Sequence, residues 1–118
     1  MNNGIKSDIG AVKVHEQVIA EIVYMTLEEM DDVRPLKRNF MDQTLEVFGQ
    51  KVFPGIEVRI DENQDTSIEA KVNVLYGKNI PSVAKEVQDA IKGALQKTVE
   101  VNIRKIDVNV QGIERGPK

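Results

Sequence analysis

The sequence contains no cysteine and no tryptophan, and only 4% of its 118 residues are aromatic. The absence of cysteine excludes disulfide bonds, thiolate nucleophiles and cysteine-based metal sites, and it is compatible with a reducing cytoplasm. The low aromatic content leaves few side chains on which nucleic-acid bases would stack. Several classes of functional site are therefore excluded by composition.

Long apolar runs and a strong excess of one charge are also missing. No apolar stretch approaches the roughly 20 residues needed to span a bilayer, and the opening MNNGIKSDIG lacks the apolar core of a signal peptide. The net charge of −3 argues against a large basic surface for nucleic acid or anionic lipid. We expect a cytoplasmic protein with no nucleic-acid partner and no direct membrane insertion.

The residues that are present predict one globular domain. Hydrophobic residues make up 41% and charged residues 30% of the chain, which is typical of a protein with a single core. We expect a flexible tail at residues 1–8, one domain over residues 9–113 and a second flexible tail at residues 114–118.

The first half of the sequence predicts a short strand followed by helices. Residues 9–14, IGAVKV, alternate between apolar and polar side chains, whereas apolar residues in 15–30 recur every three or four positions, as on one helix face. Pro35 prevents this helix from continuing. A short second helix is expected within residues 36–53, with Gly49 at its C-terminal end.

The second half begins with two alternating segments, residues 56–61 and 67–76, joined by a short polar connection. This pattern predicts a β-hairpin. A helix follows Pro81, whose missing N–H is harmless in a first helical turn. The helix has one apolar face, formed by Val83, Ala84, Val87, Ala90, Ile91, Ala94 and Leu95.

The last predicted element is a strand within residues 99–113. Its apolar residues change from odd to even positions at Arg104 and Lys105, which predicts a β-bulge or a bend. The predicted order is therefore β-α-(α)-β-β-α-β, in a two-layer α+β fold with helices on one face of a mostly antiparallel sheet. A ferredoxin-like arrangement fits this order, and a KH-like arrangement is the alternative if the first strand is vestigial.

No motif predicts catalysis or a cofactor. Gly77 and Lys78 precede a helix, but a phosphate-binding P-loop needs further glycines and a Ser or Thr after the Lys. We interpret Gly77 as a turn residue with positive φ and Lys78 as a solvent-facing side chain. His15 is the only histidine and lacks the partners of a catalytic set. We therefore predict a protein that is not an enzyme and holds neither a cofactor nor a metal.

Two segments are candidates for protein interaction. The segment EEMDDVRPLKR predicts either a docking patch or weak cation site, or a solvated corner whose opposite charges compensate, and the second interpretation is favoured. The final strand contains no proline before residue 117, so it is a candidate edge strand for pairing with another chain. The candidate residues are Glu28, Glu29, Asp31 and Asp32 in the first segment and Asp107, Asn109 and Gln111 in the second.

The segments LYGKNIPSVAKEVQDAI and VEVNIRKIDVNVQGI resemble the C-terminal half of the alkaline shock protein family, envelope-stress and general-stress proteins of Gram-positive bacteria. The signature residues are Tyr76, Gly77, Asn79, Ile80, Pro81, Val83, Ala84, Val87, Gln88 and Gly112. Residues 28–55 depart from the family pattern, which often has Glu-Gly-Val and a Gly-rich loop there.

The resemblance implies a non-enzymatic scaffold or interaction protein in the cell-envelope stress response. Some members of the family reach the membrane through a small membrane-anchored protein, so such a partner is expected here, together with self-association into a homo-oligomer. Another branch of the family is tied to fatty-acid synthesis. The alternative function is therefore a modulator of that synthesis, acting through acetyl-CoA carboxylase or an acyl metabolite.

Overall fold

The computed structural model of the protein describes residues 3–37 and 52–115, with side chains from residue 10 onward. Two helices pack on one face of a sheet, as the sequence predicts, and the core lies between the two layers. The elements are α1 (Asn3–Glu29), β1 (Val33–Pro35), β2 (Ile56–Ile60), β3 (Asp65–Leu75), α2 (Ile80–Thr98) and β4 (Asn102–Glu114).

The predicted strand at residues 9–14 is wrong, because these residues lie within α1. A six-residue alternation also fits a helix that buries one residue in three or four: Val12 is half-buried and Val14 is exposed, and fully buried Ile19 and Val23 follow at helical spacing. Because helix formation is cooperative, the long pattern that follows extends backward through this segment. Residues 3–8, assigned above to a tail, also have helical backbone.

The missing first strand removes the element with which a ferredoxin-like order begins, and this favours the KH-like alternative. Strand β1 was not predicted; among the described strands it pairs with β3 alone, and a strand with one free side accommodates Pro35. The predicted second helix within residues 36–53 falls mostly outside the described residues.

Strand β3 lies at the centre of the sheet. Strands β2 and β1 pair antiparallel with one edge of β3, along Thr66–Ala70 and Val72–Val74 respectively, and β4 pairs with the other edge. Two of these three pairings are antiparallel, as predicted, whereas β3 and β4 are parallel because α2 carries the chain back between them. The described sheet is thus three strands wide: β1 and β2 lie end to end on one side of β3, and β4 lies on the other side.

The hairpin of β2 and β3 confirms the predicted alternation. On β3 the inward residues Ile68, Ala70, Val72 and Val74 are buried beneath the helices, and the residues between them are only half-buried. Helix α2 places Val83, Val87, Ile91 and Leu95 against this surface, as its four-residue spacing predicts.

Strand β4 contains the predicted irregularity. The register with β3 shifts between Ile103 and Lys105, which leaves Arg104 as the extra residue of a β-bulge. A second shift, which was not predicted, leaves Gln111 as an extra residue between Val110 and Gly112. The bulge at Arg104 allows Ile103, Ile106, Val108 and Val110 all to face the helices despite their change of parity.

Candidate interaction surfaces

The direction of the backbone hydrogen bonds on β3 determines which groups of β4 face outward. The N–H of Lys71 donates to the carbonyl of Gly55 at 2.8 Å, and the N–H of Leu75 donates to that of Asp32 at 3.0 Å. The backbone N–H and C=O groups of odd-numbered residues of β3 therefore point toward β1 and β2, and those of even-numbered residues point toward β4. Consistently, the N–H of Tyr76 donates to the carbonyl of Glu114 at 2.7 Å.

In a parallel ladder, the backbone N–H and C=O groups of every second residue bond to the neighbouring strand, and those of the residues between them point to the other side. With the register of Ile68 opposite Ile106, the backbone groups of Asp107 and Asn109 point toward β3. Those of Ile106, Val108 and Val110 point away from it. These three residues define the outer edge of β4, and within residues 3–37 and 52–115 no strand pairs with that edge.

One acceptor on the outer edge of β4 is already occupied. The side-chain amide of Gln88, on α2, donates to the carbonyl of Ile106 at 2.8 Å. The backbone groups of Val108 and Val110 remain to bind an added strand. The predicted binding segment, Asp107–Gln111, thus lies on an outer strand of the sheet. The backbone N–H groups that point away from β3 in this segment are those of Val108 and Val110, whereas the backbone groups of the candidate residues Asp107 and Asn109 bond to β3.

The side chains of these candidate residues lie on the face of the sheet opposite the helices, which is called here the outward face. Asp107 forms an ion pair with Lys105 at 3.4 Å, and the amide of Asn109 donates to the carboxylate of Glu69 at 2.5 Å. Gln111 is the exposed extra residue of the second bulge. On the same face, Arg59 lies 3.5 Å from Glu57.

Of the four acidic candidate residues at the end of α1, Asp32 contacts another element of the fold. Glu28, Glu29 and Asp31 are exposed, whereas Asp32 is half-buried and lies 3.2 Å from the Lys78 ammonium. A hydrogen bond with Asp32 is the main cause that raises the pKa of Glu86, and desolvation and the Asp32 charge act in the same direction. Asp32 therefore joins the end of α1 to the turn before α2.

The turn from β3 to α2 is built as the sequence predicts. Gly77 has a φ of +88°, which an L side chain rarely adopts. The side chain of Asn79 accepts a hydrogen bond from the Ser82 N–H at 3.0 Å and so caps α2, and Pro81 occupies its first turn. Lys78 is half-exposed and pairs with Asp32, so it is not simply solvated.

The remaining signature residues divide into two groups. Val83 and Val87 are buried, Ala84 is half-buried and Gln88 bonds to β4, so these residues stabilise the fold. A side chain at Gly112 would crowd the amide oxygen of Asn73, because an added Cβ would lie 3.2 Å from it. Tyr76 and Ile80, by contrast, are 74% and 37% exposed.

Sequence analysis did not identify the residue that caps a backbone donor on the outer edge of β2. Its backbone N–H groups at Ile56, Val58 and Ile60 point away from β3, and the Ile60 N–H donates to the carboxylate of Glu16 at 3.0 Å. Glu16 lies on α1, so the sheet's two outer strands are treated differently. No local pattern signals this contact, because the two residues are 44 positions apart.

Two further searches concern the described ranges only. In residues 3–37 and 52–115, no three Asp, Glu or His side chains are placed to hold a metal ion. The two described helices lack a stretch long and apolar enough to cross a membrane.

Comparison with known proteins identifies relatives over almost the whole chain. The model of the alkaline shock protein 23 family, described by its cell envelope-related function, matches residues 4–115. Protein YqhY of Bacillus subtilis is 32% identical over 107 residues, which cover 90% of this chain and 78% of YqhY. Protein Spy1535 of Streptococcus pyogenes is 26% identical over 114 residues, with 93% and 85% covered. No solved structure matches the chain.

Proposed function

The chain belongs to the alkaline shock protein 23 family, which has a cell envelope-related function, and we propose that it serves this function by binding protein partners rather than by catalysis. The outer edge of β4 is the binding element. A strand of the partner pairs with the backbone N–H and C=O groups of Val108 and Val110, and the neighbouring exposed side chains select it.

The observation that carries this proposal is the contrast between the two outer edges of the sheet. On β2, two of the three outward N–H groups are occupied: the Ile56 N–H donates to the Phe53 carbonyl at 3.1 Å, and the Ile60 N–H donates to the Glu16 carboxylate of α1. On β4, Gln88 caps the carbonyl of Ile106, and no strand within residues 3–37 and 52–115 pairs with the outward backbone groups of Val108 and Val110. Exposed strand edges tend to pair with other chains unless they are blocked.

Composition and family are consistent with a partner that links this protein to the envelope. We propose a cytoplasmic protein that reaches the membrane through a small membrane-anchored protein, in keeping with the cell envelope-related function of the family. Added-strand pairing suits such a partner, since a short extended segment outside the membrane is sufficient for it.

The test uses proline to remove one outward donor. Val110→Pro deletes an N–H that points away from β3, and proline is tolerated at such a position of an edge strand. The variant should keep its circular dichroism spectrum. In pull-downs from the native host followed by mass spectrometry, it should lose the envelope protein that wild type retains.

Asn109→Pro is the matched control, because the Asn109 N–H points into the ladder with β3. This variant should be clearly less stable than Val110→Pro, because proline at this position removes a hydrogen bond of the ladder between β3 and β4. If Val110→Pro is folded and retains the same partners, the outer edge of β4 is not the binding element.

A further inference from the structure

The outward face of the sheet carries a charge pattern that is complementary to itself. Val58, Ile68 and Ile106 lie side by side on β2, β3 and β4 and form a row across the sheet, called here the central row. Because side chains alternate along a strand, the residues on either side of this row point outward.

On each strand, two outward residues that lie at equal distances on opposite sides of the central row have opposite charges or complementary hydrogen-bonding groups. On β2 and β4 each such pair consists of a basic and an acidic residue. On β3 one pair consists of a hydroxyl and a carboxylate, and the other of a carboxylate and a lysine. The mirrored pairs are Arg59 with Glu57, Lys105 with Asp107, Ser67 with Glu69 and Asp65 with Lys71.

We propose that this outward face binds a second copy of the same chain through a two-fold axis that runs along the central row. A half-turn about this axis stacks the two sheets face to face and reverses the strands. Arg59 of one copy then lies over Glu57 of the other, and Lys105 lies over Asp107. The Ser67 hydroxyl likewise faces the Glu69 carboxylate, and symmetry repeats each contact.

The shape and exposure of this face are consistent with such a contact. A shallow depression of about 270 Å³ follows the central row, and it is lined by Ile68 and the inner six residues of the mirrored pairs. The charged side chains of β2 and β4 that would cross the interface are exposed, with Arg59 79% and Lys105 62% accessible, and Ser67 and Glu69 on β3 are half-buried. Their intrachain ion pairs are exposed and therefore weak, so they can exchange for contacts between copies.

A second copy fits this face better than an unrelated charged partner. A uniformly acidic or basic surface would match one side of the central row and oppose the other, whereas a second copy matches both sides. The pattern covers three strands about 4.8 Å apart and four positions about 6.8 Å apart, or roughly 400 Å² for each copy. This is about half the area of a typical stable interface, so the dimer should be weak and sensitive to salt.

The test reverses each side of the central row separately. Variant A carries Arg59→Glu and Lys105→Glu, and variant B carries Glu57→Lys and Asp107→Lys. Each variant alone places like charges over one another, so its association should be weaker than wild type by about tenfold or more. An equimolar mixture of A and B restores every ion pair and should form a heterodimer, measured by sedimentation equilibrium and native mass spectrometry up to millimolar concentration.

Two control variants change the net charge equally at exposed positions elsewhere: Lys92→Glu with Lys97→Glu, and Asp89→Lys with Glu100→Lys. Both should dimerise as wild type does. If A or B does not give a folded circular dichroism spectrum, Arg59→Gln with Lys105→Gln replaces it, and association should again weaken.

Three results would overturn the proposal: a wild-type protein that is monomeric throughout, variants A and B that associate like wild type, or a mixture that fails to form the heterodimer. The proposal is independent of strand addition, because Val110→Pro leaves the outward side chains in place. A Val110→Pro variant that loses its envelope partner but still dimerises separates the two surfaces.

Discussion

The side-chain amide of Gln88 lies 2.8 Å from the carbonyl oxygen of Ile106 and donates a hydrogen bond to it. This contact connects the exposed side of α2 with the outer edge of β4, and it occupies one of the acceptors to which an added strand would bond. Gln88 therefore acts both as a link between layers and as a partial block of the edge.

Replacing Gln88 with alanine should release the Ile106 carbonyl. The loss of one exposed hydrogen bond should lower the free energy of unfolding by only about 1 kcal/mol or less. If the edge of β4 is the binding element, partner affinity should rise or stay unchanged, because an acceptor becomes available. The measurements are urea unfolding and titration of the partner found with wild type. Reduced affinity in a folded variant would indicate that Gln88 itself contacts the partner.

Replacing Val87 with aspartate should unfold the domain or destabilise it by several kcal/mol. Val87 is fully buried between α2 and the sheet, and the new carboxylate would have no compensating partner there. Lys92→Ala, on the exposed side of the same helix, should change stability by about 0.5 kcal/mol or less. Thermal melts of both variants check the assignment of the buried face, and the reverse order of effects would contradict it.

Replacing Glu16 with alanine should destabilise the outer edge of β2. Its carboxylate accepts the Ile60 N–H at 3.0 Å, and a hydrogen bond to a charged group contributes about 1.5–3 kcal/mol, less at a half-buried position. The Ile60 amide should exchange with solvent faster in hydrogen-exchange NMR. Lys13→Ala, an exposed change on the same helix, is the control and should leave that amide protected.

Replacing Glu86 with glutamine should remove a pH dependence of stability. The pKa of Glu86 is raised, first by its hydrogen bond with Asp32, so the folded state binds this proton more tightly than the unfolded state. The resulting stability is fully present below the ordinary pKa of Glu and is lost as the pH rises through the raised value.

Wild type should therefore lose stability relative to Glu86→Gln as the pH rises above the ordinary pKa of Glu, as measured by melting temperature at a series of pH values. Asp89→Asn, at an exposed position on the same helix, is the control. Parallel curves for wild type and Glu86→Gln would show that the proton on Glu86 makes no pH-dependent contribution to stability.

The sequence alone determined the parts of this protein that depend on periodicity and turn chemistry. The four-residue spacing from Val83 to Leu95 assigned the buried face of α2, and Gly77 marked the positive-φ turn before it. The change of parity at Arg104 predicted the bulge in β4 because side chains alternate strictly along a strand. The family followed from the signature around the same turn.

The tertiary structure alone decided which groups meet across the chain. A six-residue alternation at 9–14 fits either a strand or a helix, and the cooperative continuation of α1 determined the outcome. The register between strands is likewise a long-range property, because it depends on how α2 returns β4 beside β3. Only that register directs the backbone of Val108 toward the outer edge and aligns the opposite charges about Ile68.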